Sequence, residues 1–140
     1  MKKETPKQRE ERILHQLRMK YPGAIAFDLD GRSMHFVCEV EPTKDHQEYD
    51  RAVEVIIRSQ PHKHLKMKQR YNVLSGTLEL HIKDKVVELN PGDKYTIHPG
   101  TVHWAVSNDE CWVEIYSLPG WTKEDHIPVV LNPEPYVQST

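Results

Sequence analysis

Between Met34 and Leu118 the sequence is cut into short runs of β-branched and aromatic residues, each closed by a cluster of Gly, Pro, Asn or Asp. No other feature constrains the fold as strongly. Runs of this length read as strands, and no helical pattern separates them, so a β-sandwich or barrel is indicated rather than a parallel sheet with crossover helices. The predicted strands cover 34–40, 53–59, 70–74, 77–83, 85–89, 94–97, 102–107 and 112–118. Ser75-Gly76 predicts a tight hairpin between the third and fourth runs. Asp84, Asn90-Pro91-Gly92-Asp93 and Asn108-Asp109-Glu110 predict further turns.

Before this region the period is helical. Thr5 is placed as an N-cap, Pro6 at the first helical position, and Gln8 completes a capping box. Ile13, Leu14 and Leu17 fall on one face up to Lys20, and Tyr21-Pro22-Gly23 ends the helix. One amphipathic helix of this kind is expected to pack on the outside of the strands. The organisation read from the chain is therefore a helix over 1–23, a barrel over 24–120 and an arm over 121–140 that lies on a neighbour or trails as a tail.

Composition excludes several classes. With 140 residues the chain suits one domain with its own core. Nineteen basic against 21 acidic residues leave a net charge of −2, so no global field points to nucleic acid or an anionic membrane. The basic residues near the N-terminus alternate with Glu4, Glu10 and Glu11, and no helix-turn-helix is visible. No apolar run approaches the length of a membrane span, so a soluble, cytoplasmic protein is expected. Cys38 and Cys111 stand far apart with no CxxC spacing and read as buried small hydrophobes.

Chemistry concentrates around Pro61-His62-Lys63-His64. One residue separates the two histidines, so on an extended strand both imidazoles point to one face. Gln69 lies an odd number of residues further, and the 66–68 stretch must bend or bulge before Gln69 rejoins that face. The Pro99-Gly100 turn can return His103 to the same place. Three imidazoles and an amide oxygen suit a divalent first-row metal with positions left open; without sulfur, Zn, Ni, Fe, Mn and Co are all compatible. Counting back by twos from His62 puts Arg58 and Glu54 on the same face, where Arg58 would clamp a substrate carboxylate or phosphate, unless Pro61 breaks the parity. Tyr71 shares parity with Gln69 and is expected near the metal, as proton donor or as lining. His81 and His98 are candidates for general acid/base work or for rim positions. Trp104 and Trp112 are read as core or mouth aromatics.

These residues resemble the two motifs of the cupin superfamily, a double-sheet jelly roll. The first is matched by His62-x-His64-x4-Gln69-x6-Gly76, with Gln69 where the family usually has Glu and no initial Gly. The second is matched by Gly92-x5-His98-Pro99-Gly100-x2-His103, with His98 in place of Pro and Asn108 one residue out of step. The resemblance implies an all-β jelly-roll barrel with one added helix, and a metal held by His62, His64, Gln69 and His103. Gly120-Trp121-Thr122-Lys123-Glu124-Asp125-His126-Ile127 is similar to a segment of the cupin domain in bifunctional mannose-phosphate isomerases.

A carboxamide at position 69 cancels none of the metal's charge, so the ion would be a stronger Lewis acid and more weakly held. The alternative is that Gln69 marks a lost metal site. Cupins with a His-His-Gln-His set act on cyclic substrates such as unsaturated uronates, so the likeness favours an enzyme. The leading expectation is metal-dependent isomerisation, epimerisation or ring opening of a sugar or sugar acid. An Fe-dependent dioxygenase and a non-catalytic small-molecule binder are the alternatives. Open sheet edges, with covers at both chain ends, predict a homodimer.

Overall fold

The computed structural model describes residues 3–131. Helix α1 spans Pro6–Lys20. Thr5 Oγ1 accepts from the Gln8 N–H at 3.1 Å and the Thr5 N–H donates to the Gln8 side chain at 2.9 Å, satisfying two amides that a helix start leaves free. Ile13 and Leu17, one turn apart, are fully buried against Ala26, Phe36, Cys38, Val53 and Val55. Each contributes about 1.5–3 kcal/mol by that burial. Arg12 bridges Glu4 at 2.7 Å and Glu110 at 2.6 Å, tying the helix to the sheet it covers.

The strands are β1 Ile25–Asp28, β2 His35–Glu41, β3 Asp50–Arg58, β4 His62–Lys63, β5 Lys68–Ser75, β6 Leu78–Ile82, β7 Lys85–Leu89, β8 Lys94–Ile97, β9 His103–Leu118 and β10 Ile127–Pro128, with a short 3-10 turn at Lys123–Asp125. They form one curled antiparallel sheet, an all-β jelly roll. β9 is its spine. β3 and then β4 run along one edge of β9, and β5 and then β6 along the other.

Two predicted features are corrected by this topology. Ser75-Gly76 is not a hairpin: β5 and β6 both run antiparallel to β9, so the chain continues straight past Gly76. Gly76 has φ +82°, and a Cβ there would stand 2.5 Å from the Glu110 carbonyl oxygen. The glycine marks a close crossing of two backbones, for which sequence punctuation looks the same as for a turn. Asn108-Asp109-Glu110 does not separate two strands either. It lies inside β9, where the pairing to β3 changes register between Ile56 and Arg58 and that to β5 between Val73 and Ser75. Neighbours on both edges carry the backbone through as a bulge. The reversal that does occur is at Lys83-Asp84, joining β6 to β7.

β1 is only four residues long, and no alternation in the sequence marks it. It is held by pairing to β2 and by the Asp28 carboxylate, which accepts from the N–H groups of Gly31 at 3.2 Å and Ser33 at 2.9 Å. Inside the barrel, Ile56, Val73, Leu78, Leu80, Ala105, Cys111, Val113 and Ile115 form the apolar core. Cys38 and Cys111 are buried and unpaired. Of the arm expected over 121–140, Ile127–Pro128 join the sheet as β10 beside β4, and residues 132–140 lie outside the described residues. Among the described residues no helix is long and apolar enough to cross a membrane.

Candidate metal centre

His62 opens β4, His64 follows it, and His103 opens β9 directly opposite His62 in the sheet register. The bend at Leu65-Lys66 returns Gln69 to the interior face, where it is 4% exposed. The ring centroids of His62 lie 4.9 Å from those of His64 and 4.2 Å from those of His103. One nitrogen of each imidazole falls within 4.8 Å of the others. An ion with bonds of about 2 Å would draw them together slightly.

Backbone carbonyls orient all three rings. Nδ1 of His62 meets Gln60 O at 2.8 Å, Nδ1 of His64 meets Asp125 O at 2.8 Å, and Nδ1 of His103 meets Thr101 O at 2.9 Å. A carbonyl only accepts, so each Nδ1 carries the proton and each Nε2 keeps its lone pair. Nε2 of His64, Nε2 of His103 and Oε1 of Gln69 are buried without a hydrogen-bond partner. Three unsatisfied acceptors at one place are costly unless something electropositive joins them. Burial pushes the pKa of His103 down to about 4 and, with the neighbouring imidazoles, holds His62 well below its ordinary value. Neutral rings with outward lone pairs fit a divalent metal.

Residues 55–117, from β3 to the end of β9 and including all four of these side chains, match the family model described as Cupin domain. This segment is a cupin domain. A variant of the Streptomyces protein Pac13 with uridine has the same fold with a TM-score of 0.69 at 15% identity, over 83% of this chain and 95% of that one. Pac13 is described as a nucleoside dehydratase. KdgF from a Halomonas species gives a TM-score of 0.60 at 20% identity, over 72% of this chain and 91% of that one. Ectoine synthase from P. lautus gives 0.56 at 14%, over 76% and 82%. At such identities the likeness is one of fold. Among curated proteins none matches the sequence.

The cavity of this cupin above the imidazoles is lined by Leu29, His35, Glu54, Tyr71, Trp121 and His126 together with His62, His64 and Gln69. Tyr71 is 4% exposed, its ring edge-on to His103 at 6.4 Å between centroids. Burial raises the pKa of its phenol, so the hydroxyl stays protonated and can only donate or accept a hydrogen bond. Arg58 and His81 are not part of this cavity. Arg58 is exposed, because the register shift of β3 against β9 between Ile56 and Arg58 breaks the two-residue alternation before Pro61 is reached. His81 lies on the outer face of β6, opposite to buried Leu80 and Ile82, stacked on Trp104 at 4.8 Å and bonded to Glu79 at 2.7 Å. His98 is exposed, and Trp112 packs against the cluster beneath α1. The tryptophan that lines the cavity is Trp121.

Three contributors escaped sequence reading. His126 packs on His62 at 4.5 Å between ring centroids, and burial pushes its pKa down to about 4. His35 enters from β2, too far along the chain for any spacing rule to connect it. Asp125 binds the β4–β5 loop: its carboxylate accepts from the N–H groups of Leu65, Lys66 and Met67 at 2.8–3.2 Å. The family-like segment around Gly120–Ile127 was the available signal for His126 and Asp125.

Proposed function

We propose that this cupin is a metal-dependent enzyme acting on a small polyhydroxylated metabolite of the sugar or sugar-acid class, by isomerase- or epimerase-like chemistry. One observation carries the reading: three buried imidazoles, each fixed through Nδ1, turn their free nitrogens toward one point at the base of a cavity that also holds a carboxylate and a phenol. His62, His64, His103 and the Gln69 oxygen would hold the ion, which supplies Lewis acidity to a substrate carbonyl or vicinal hydroxyls. Gln69 is steadied by its amide N–H donating to Ser117 Oγ at 3.0 Å, which turns Oε1 toward the imidazoles. Tyr71 offers a protonated hydroxyl. Trp121 gives an apolar wall for a ring face.

Arg58 is exposed and outside the cavity lining, so the reading assigns it no part in holding the substrate. Two structural neighbours are named as enzymes, a nucleoside dehydratase and an ectoine synthase, and the first is seen with the ribose-bearing uridine. The similarity of 120–127 to a segment of the mannose-phosphate isomerase cupin domain supports isomerase chemistry on a sugar, without bearing on phosphate. The test is proton NMR in D2O with protein loaded with Zn, Ni, Mn, Co or anaerobic Fe(II), over a panel of aldoses, ketoses and uronates. Metal-dependent deuterium incorporation beside the carbonyl, absent in His103→Ala, supports the reading. Oxygen uptake with Fe(II) would establish a dioxygenase instead, and binding without exchange or uptake a non-catalytic cupin.

A further inference from the structure

Beside the three imidazoles, Glu54 on β3 and His35 on the adjoining β2 are diagonal neighbours on the interior face of the sheet. His35 Nε2 lies 2.5 Å from Glu54 Oε1, and the two side chains are 6% and 12% exposed. Behind the imidazole, Asp30 Oδ2 stands 4.0 Å from Nδ1, buried and without a hydrogen-bond partner. Burial alone would push the His35 pKa down, but the Glu54 bond and the nearby Asp30 outweigh it and raise it. A charged group of this kind is costly to bury and adds less to stability than apolar packing of equal volume. Packing does not demand it either, since Ala52 and Ile56, which share the interior parity of Glu54 on β3, are small or apolar.

The chemistry of the cavity gives the carboxylate a use. The metal-binding set is neutral, because Gln69 stands where a carboxylate would. The phenol of Tyr71 stays protonated. Among the described residues lining the cavity, Glu54 is the single carboxylate. His35 engages Oε1, which leaves Oε2 for a substrate.

We propose that Glu54 is the proton-transferring base of this site and that His35 is its positioning residue; this rests on the metal-dependent enzyme reading above. In an aldose–ketose step, the C–H bond beside the carbonyl breaks and its proton passes to Glu54. The electron pair forms the C=C bond of an enediolate, with the negative charge on the former carbonyl oxygen. Glu54 returns the proton to the former carbonyl carbon, the neighbouring hydroxyl proton crosses to the charged oxygen, and no co-reactant is consumed.

The test loads the full chain with Co(II), whose visible spectrum follows ionisation of its bound water. Around Glu54 the charged and titratable groups are His35, Asp30, Asp50, His64, Tyr71 and His126. Glu54→Gln should keep one cobalt per chain while its spectral midpoint falls by about one pH unit or more, because a negative charge that favoured the protonated state is gone. Glu79→Gln, on the outer face, should leave the midpoint in place. Glu54→Asp keeps the charge but retracts it, and should hold the midpoint while losing rate. For a sugar that shows deuterium incorporation, Glu54→Gln should lower kcat about 100-fold or more, and His35→Asn should lower kcat with KM retained. An unchanged cobalt midpoint in Glu54→Gln, or wild-type deuterium incorporation by that variant, overturns the assignment. Failure of the wild-type chain to bind cobalt overturns the metal reading itself.

Discussion

His64 and Asp125 are joined twice. The His64 Nδ1–H donates to the Asp125 carbonyl oxygen at 2.8 Å, and the Asp125 carboxylate gathers the amides of the loop that follows His64. Burial pushes the Asp125 pKa up, and the N–H donors of Met67, Leu65 and Lys66 more than reverse this. One residue near the end of the described chain therefore sets both the ring orientation of a candidate ligand and the loop leading to Gln69.

Asp125→Ala is expected to destabilise the metal-free protein by on the order of 2 kcal/mol, since it strips three amides of their acceptor. Zinc affinity should fall about 10–100-fold, the usual consequence of loosening the support of a ligand. Thermal unfolding and chelator competition measure the two effects separately. The carbonyl that accepts from His64 survives this substitution, so an unaltered zinc affinity would show that the carboxylate's hold on the loop does not affect the ligands.

Removing a ligand should be more severe. His64→Ala and His103→Ala are each expected to lose zinc by on the order of 100-fold or more in affinity, read by elemental analysis after dialysis. Gln69→Glu should act in the opposite direction, tightening the metal and raising the pKa of its bound water, because the added charge stabilises the protonated complex. Equal zinc affinity in Gln69→Glu and wild type would place Gln69 outside the ligand set.

At Gly76 the backbone carries two constraints, φ +82° and the Glu110 carbonyl oxygen 2.5 Å from where a Cβ would stand. Gly100 has φ +84° with nothing within 4 Å of that position. Gly100→Ala is expected to cost about 1 kcal/mol in urea unfolding, and Gly76→Ala on the order of 3 kcal/mol or more. Equal costs would mean that the crossing of β5–β6 with β9 gives way easily.

Asp50 is buried, with Thr43 Oγ1 donating to it at 3.3 Å. Burial, then Glu39 and Glu54, raise its pKa from 3.8 to about 6. Between about pH 4 and 6 the folded state therefore binds more protons than the unfolded chain, and this group's contribution to stability is lost as pH rises through that interval. Asp50→Asn is expected to be more stable than wild type by about 2 kcal/mol at pH 7.5 and nearly equal to it at pH 4. A difference independent of pH would contradict this origin.

Periodicity and local chemistry determined much of this protein from the sequence alone. Thr5 and Gln8 specify their helix start because both partners lie within one turn. His62 and His64 share a face because a strand alternates every two residues, and the alternation of Gln69, Tyr71 and Val73 survives for the same reason. Tertiary structure decided whatever depended on a partner strand. Gly76 and Asn108-Asp109-Glu110 look like turns in isolation, yet β9 and its neighbours carry the chain straight through both. Arg58 lost its interior parity to a register shift that only β9 imposes. His35 and His126 reach the cavity, and Asp125 reaches His64 and its loop, through contacts between segments far apart in sequence, which no local spacing encodes.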